Sequence, residues 1–289
     1  MSLQPTVQQP MSDLIDRVVT LCPLPASAHR ILALTSDPDV DIKEVGHVLS
    51  TDPALTVEVM RLANSTAYAR GLPVTDLVQA VLRLGLGELR QMAGAMAILA
   101  AFPTVGEFSN DLRAASVLSG AIVRDLADKS GFASIGTAYV CGLLCEVGAM
   151  ACTAIDGASY LELRAESGGD WTIRASRERE RYGHSSPEIG SELLNRNRLP
   201  SSIVQAVQAS LDSAPSSLAP LDRMTVFARH AAPILIESGA NPERVDLAAR
   251  LTRLAQQIEL PAGEPSELTA LCVHSAVATV NALSSPSRR

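Results

Sequence analysis

Aromatic side chains are scarce in this chain: one tryptophan, four tyrosines and four phenylalanines, 3% of 289 residues. Ala, Leu and Val dominate an apolar content of 47%, a mixture that favours helix over strand. No segment sustains strand alternation and no period repeats, which sets aside Rossmann-like sheets and solenoids. The expected fold is all-α. Long apolar runs are missing too. The longest, Tyr139 to Ile155, is shorter than the roughly 20 residues that cross a bilayer, and Glu146 sits at its middle. It reads as a buried helix, and no membrane contact is expected.

Basic residues are in deficit, 24 Lys and Arg against 31 Asp and Glu, for a formal charge of -7. Such a balance opposes long-range attraction to nucleic acid or an anionic membrane, so neither is expected as a partner. The first residues, "MSLQPTVQQP", lack the charged and apolar regions of a signal peptide, and residues 1–12 read as a disordered lead. Five cysteines without an export signal read as reduced thiols, and the expected location is cytoplasmic.

Helix punctuation organises what is there. Asp41 with Glu44, Asp52 before Pro53, and Asp76 with Gln79 mark starts. Leu82, Leu86, Leu89, Met92 and Met96 hold helical spacing, while Gly85 and Gly87 predict a break or kink among them. "FPTVGEFSN", residues 102–110, reads as a connector before a helix from about Asp111 to Ser130. Ser186 reads as the cap of a helix opened by Pro187. These marks predict a two-part helical bundle: an N-terminal helical subdomain over 13–105 and a second over 106–212. Residues 213–289 then form a linker and additional C-terminal helices that complete the second bundle.

Over some eighty residues the order and spacing of "PLP", "SDP", "STDPALTVEVMRLANS" and "GLPVTDLVQAVLRLGLGELR" resemble the HDOD family, the HD-related output domains of bacterial signalling proteins. The likeness continues through "YVCGLLCEVGAM" and "ERYGHSSPEIGSELLNRNRLPSSIVQAV", placing an HDOD domain at 13–212 with an HD-like second half. It implies a signalling role exercised through contacts with other regulatory proteins.

In HD phosphohydrolases, histidines and aspartate from several helices converge on metal ions that activate water. Here the residues matching the paired His-Asp are Cys145 and Glu146; the later histidine position falls on Ser186, with His184 two residues away. No histidine occurs between His47 and His184. The expectation is a vestigial pocket at Cys145, Glu146, His184 and Ser186, with no metal, no cofactor and no catalytic residue. Cys141, Cys145 and Cys152 read as packing on one helix face rather than zinc ligands. Glu146, with apolar helical neighbours, must be protonated, paired with an arginine from an adjacent helix, or turned into a cavity.

"RASRERER" places Arg174, Arg177 and Arg181 near one helix face, either a phosphate contact or, with Glu178 and Glu180 between them, a solvated salt-bridged surface. Asn64, Ser65 and Tyr68 stand at a helix end, where they fix the next turn or contact a partner. The leading expectation is a non-catalytic module. A divergent metal phosphohydrolase using Cys145, Glu146 and His184, and a nucleotide-messenger receptor using the arginines, stand as alternatives.

Overall fold

The computed structural model describes the backbone of residues 10–24, 34, 40–51, 53–64, 68, 72–103, 106–241, 246–261 and 263–284, and the side chains of these apart from 53–55, 58, 106–109 and 281–284. Most of the lead, together with Ser65 and the Asp52 cap, lies outside the described residues. All regular structure among the described residues is helical. The N-terminal part holds α1 (Met11–Leu21), α2 (Ile42–Ser50), α3 (Pro53–Ala63), α4 (Leu77–Leu84) and α5 (Leu86–Ala101). The second part holds α6 (Gly106–Ser130), α7 (Ile135–Leu144), α8 (Val147–Glu166), α9 (Trp171–Tyr182), α10 (Ser186–Arg196) and α11 (Ser201–Gln208). Three more complete it: α12 (Pro220–Ser238), α13 (Leu247–Gln257) and α14 (Pro265–Ser284).

Asp41 caps α2, its carboxylate accepting from Lys43 N–H at 2.9 Å, and Asp76 caps α4 by accepting from Gln79 N–H at 2.9 Å. The predicted break falls at Gly85, whose φ of 82° suits a residue without Cβ. That break resets the helical phase, so Leu82 leaves the apolar stripe and is 63% exposed, whereas Leu89 and Met92 are buried. α6 begins at Gly106, inside the stretch read as a connector, because the turn residues of that stretch stand only at its start. The cap of α10 is Ser185 rather than Ser186: Ser185 N–H donates to Glu188 at 2.7 Å, the reciprocal bond of a capping box.

α6 is the axis of the second part, with α7, α12 and α14 packed around it. The N-terminal part joins through α5 on α7, and a single apolar core runs from Leu14 to Ala276. α1 packs on α8 and α10, with Asp16 ion-paired to Arg196, so the first helix leans on the second part rather than on its sequence neighbours. The residues Ile135–Glu166 are long and apolar enough to pass for a membrane-crossing helix, yet 83% of their most apolar window is buried inside the fold.

Two breaks in this apolar stretch position the site. The helix stops at Leu144 and restarts at Val147, so Cys145 and Glu146 sit in a corner; the single axis expected for Cys141, Cys145 and Cys152 is not there. The second break is Gly157, with φ 33° and ψ -108° inside α8. In a straight helix Glu146 and Arg164 would lie about 27 Å apart at 1.5 Å per residue. Folding at Gly157 brings them to 3.6 Å.

Candidate functional site

At the corner, Cys145 and Glu146 turn to different surroundings. The Cys145 thiol is fully buried against Ser119 of α6 and Arg229 of α12, and burial pushes its pKa up to about 11, which keeps it protonated at neutral pH. All five cysteines are free and buried. Glu146 is 3% exposed and faces Arg164, its Oε2 lying 3.6 Å from the guanidinium. Of the three alternatives for this carboxylate, two hold together: it has an arginine counter-ion, and it lines a cavity of about 260 Å³ with Leu112 and Ala115 of α6 and Pro233 and Glu237 of α12. A larger, mainly apolar cavity of about 340 Å³ shares Leu112 and lies against Phe102, Met150 and the Gly157 break, with Arg113 as its charged lining residue.

Behind Glu146 lies a second polar layer. Glu178 of α9 has no solvent exposure, accepts from the Tyr160 hydroxyl at 2.8 Å and from Ser186 N–H at 2.7 Å, and lies 3.8 Å from Arg174 Nε. Arg174 stacks on Trp171, its guanidinium carbon 4.6 Å from the ring centre, and His230 of α12 meets the same ring edge-on at 5.5 Å. Arg229, one of the largest fully buried side chains, donates to three carbonyls: Cys145 at 3.0 Å, Ala209 at 2.6 Å and Val207 at 2.6 Å. These are carbonyls left open at the α7–α8 corner and the end of α11, where a helix has no partner of its own for them.

Of the sequence candidates, Ser186 is brought beside Gly148, two residues after Glu146, while His184 sits half-buried in the turn between α9 and α10 and Glu146 takes its ion pair from Arg164 instead. The three arginines of α9 do not act as one face. Arg174 turns inward to Glu178, Arg177 pairs with Glu166, and Arg181 pairs with Asp156 at 2.6 Å. The solvated salt-bridged surface holds for Arg177 and Arg181, whose ion pairs are exposed, and fails for the Arg174–Glu178 pair, which is internal because α9 buries Ala175 and Glu178 on one side.

Asn64 and Tyr68 are spent inside the molecule. Asn64 bonds both ways with the Val74 backbone, donating to its carbonyl at 2.9 Å and accepting from its N–H at 2.7 Å. The Tyr68 hydroxyl donates to Glu88 and accepts from Gly136 N–H at 3.2 Å, tying the N-terminal part to α7. Sequence reasoning missed Arg229, His230 and Trp171. The signal for the first two was a basic pair inside the apolar run from Val226 to Ile236; for Trp171 it was the chain's only indole directly after a capping Asp170.

His230 has its Nε2 buried without a hydrogen-bond partner. Burial, and then Arg174, Arg229 and Arg164, hold its pKa well below the ordinary value. A depressed histidine stays neutral when folded but takes up a proton when unfolded, so its contribution is complete above about pH 6.5 and falls by up to about 1.4 kcal/mol per unit as pH drops further, until the folded group titrates. Urea melts from pH 7.5 to about 5 should therefore show a steeper acid loss for the wild type than for His230→Gln; parallel curves would refute the assignment.

A protein-family model described as HDOD domain matches residues 21–212. An uncharacterized protein of Treponema pallidum (strain Nichols) is 24% identical over 229 residues, which cover 75% of this chain and 43% of that relative; the chain thus spans under half of the relative's length. Among solved structures, a Shewanella amazonensis SB2B protein named as a phosphohydrolase superposes with a TM-score of 0.68 at 24% identity, covering 95% of this chain and all of its own. An HDOD domain protein of unknown function from Geobacter sulfurreducens gives 0.61 at 23% identity, covering 94% of this chain and 97% of its own. At these identities the likeness shows the shared helical fold.

Proposed function

The chain belongs to the HDOD domain family, and from that premise we propose that it is a non-catalytic signalling module that works by contact with other regulatory proteins. One observation carries the reading. The corner that corresponds to the paired metal ligands is ringed by guanidinium groups: Arg164 faces Glu146, Arg229 holds the Cys145 carbonyl, and Arg174 stands behind them. A divalent cation at Glu146 would displace or meet a fixed positive charge at close range, in a setting where unscreened repulsion is strong. The Cys145 thiol, held protonated, is a poor ligand, since metals bind the thiolate.

What remains is a rigid corner locked by buried bonds, suited to holding a surface in shape rather than to turning over substrate. The test is direct. Protein purified without chelators is expected to carry no stoichiometric divalent metal and to hydrolyse neither bis-p-nitrophenyl phosphate nor cyclic dinucleotides, while cross-linking in a bacterial host captures a defined regulatory partner. Stoichiometric metal together with turnover, both lost in Glu146→Ala, would establish a phosphohydrolase instead.

A further inference from the structure

The polar layer between α9 and α12 has donors left over. Trp171 is 5% exposed and its Nε1–H has no hydrogen-bond partner; the same holds for Arg174 Nε–H and for His230 Nε2, all three atoms shut off from solvent. Nine in ten or more buried polar groups find a partner, and one left bare costs about 1–3 kcal/mol. Three in one contact cluster mark a place where something else sits.

Charge distinguishes the candidates. Arg164 has a carboxylate in Glu146 at 3.6 Å and Arg174 has one in Glu178 at 3.8 Å, whereas Arg229, the residue before His230, meets only carbonyls. Glu178 is already shared among Arg174, the Tyr160 hydroxyl and the Ser186 N–H, so its one negative charge is matched by Arg174. The Cys145 thiol is neutral, and Arg229 is satisfied only by carbonyls. A water could accept the orphaned N–H bonds but would leave one buried positive charge uncompensated, which is costly away from solvent. We propose that a compact anion, a halide or a small oxyanion, is bound among Trp171, Arg174 and His230, where it bridges α9 to α12. The indole and guanidinium N–H groups would donate to it, and the neutral imidazole can donate from Nε2. The site is independent of the signalling reading, and its occupancy sets how firmly α12 is held to the second bundle.

Trp171 is the chain's only tryptophan, so its emission reports this one place. Intact protein is titrated with chloride, nitrate, phosphate or acetate at constant ionic strength, balanced with the much larger anion gluconate. At least one small anion should change the emission saturably in the millimolar range and raise Tm, read by circular dichroism, over the same concentrations. Arg174→Gln should weaken both responses at least about tenfold, the loss of one charge-assisted bond. Trp171→Phe keeps the ring plane and deletes one N–H, so its Tm response should move to several-fold higher anion concentration; this variant decides if Arg174→Gln fails to fold. No saturable emission change and no rise in Tm with any of the four anions would leave water as the occupant and overturn the proposal. So would responses that both variants retain at wild-type strength.

Discussion

Arg229→Met is expected to lower stability by about 3–5 kcal/mol, with the urea m-value unchanged. Methionine resembles arginine in length and fills most of the same channel, so cavity formation is a minor part of the loss. The major part is the set of carbonyls that Arg229 serves: Cys145 O at the α7–α8 corner, and Val207 O and Ala209 O at the end of α11. Each is a buried acceptor without another partner in the helices, worth about 1–3 kcal/mol when orphaned. Arg229→Lys, which brings one ammonium in place of a fork, should recover only part of the loss because a single head cannot span three carbonyls set around a planar group. Chemical denaturation of the three proteins measures the series. A methionine variant within about 1 kcal/mol of wild type would show that the corner is held by apolar packing alone.

The fold was legible because helix signals are local. Caps such as Asp41 and Asp76 act over three residues, and Gly85 breaks a helix through its own backbone. The site was legible only in part. That Glu146 would be protonated, paired with an arginine or turned into a cavity followed from the expense of a buried carboxylate, but the identity of Arg164 did not, since it sits on the continuation of the same apolar stretch and reaches back only through the Gly157 fold. Glycine in a helical pattern reads as a mild cost in propensity, and nothing in one sequence says which glycine reverses the chain. Arg174 shows the same limit from the other side: its spacing with Arg177 and Arg181 suggested a common face, whereas Arg174 turns inward to Glu178 on α9 itself while Arg177 and Arg181 reach Glu166 and Asp156 on α8. Arg229 needed the three-dimensional meeting of two helix ends distant in sequence, which periodicity cannot express.

Gly148→Ala should be the most damaging single methyl group that can be added to this chain's described helices. A Cβ there would lie 1.7 Å from the Ser186 carbonyl oxygen, 2.7 Å from its carbon and 2.9 Å from Gly190 N, all of them backbone atoms that no side-chain rotation can move aside. Alanine is otherwise the better helix former by about 1 kcal/mol, so propensity and sterics pull in opposite directions and the contact decides the sign. Relief requires α10 to withdraw from α8. Withdrawal carries Ser186 N–H away from Glu178, which then has one oxygen unserved beside Arg174 in the interior. Overpacking alone costs about 1–3 kcal/mol, and with the broken buried bond a loss of about 3–5 kcal/mol is expected, enough to unfold a marginal domain. Gly190→Ala approaches the same crossing less closely, with 3.1 Å to both Gly148 N and Val147 Cγ1, and should cost less. Gly87→Ala, whose added Cβ meets nothing within 4 Å on α5, should instead stabilise by up to about 1 kcal/mol. Thermal melts of the three variants test the order. If Gly148→Ala behaved like Gly87→Ala, α8 and α10 would not touch backbone to backbone, and Glu178 would lose the bond that fixes it against the arginines.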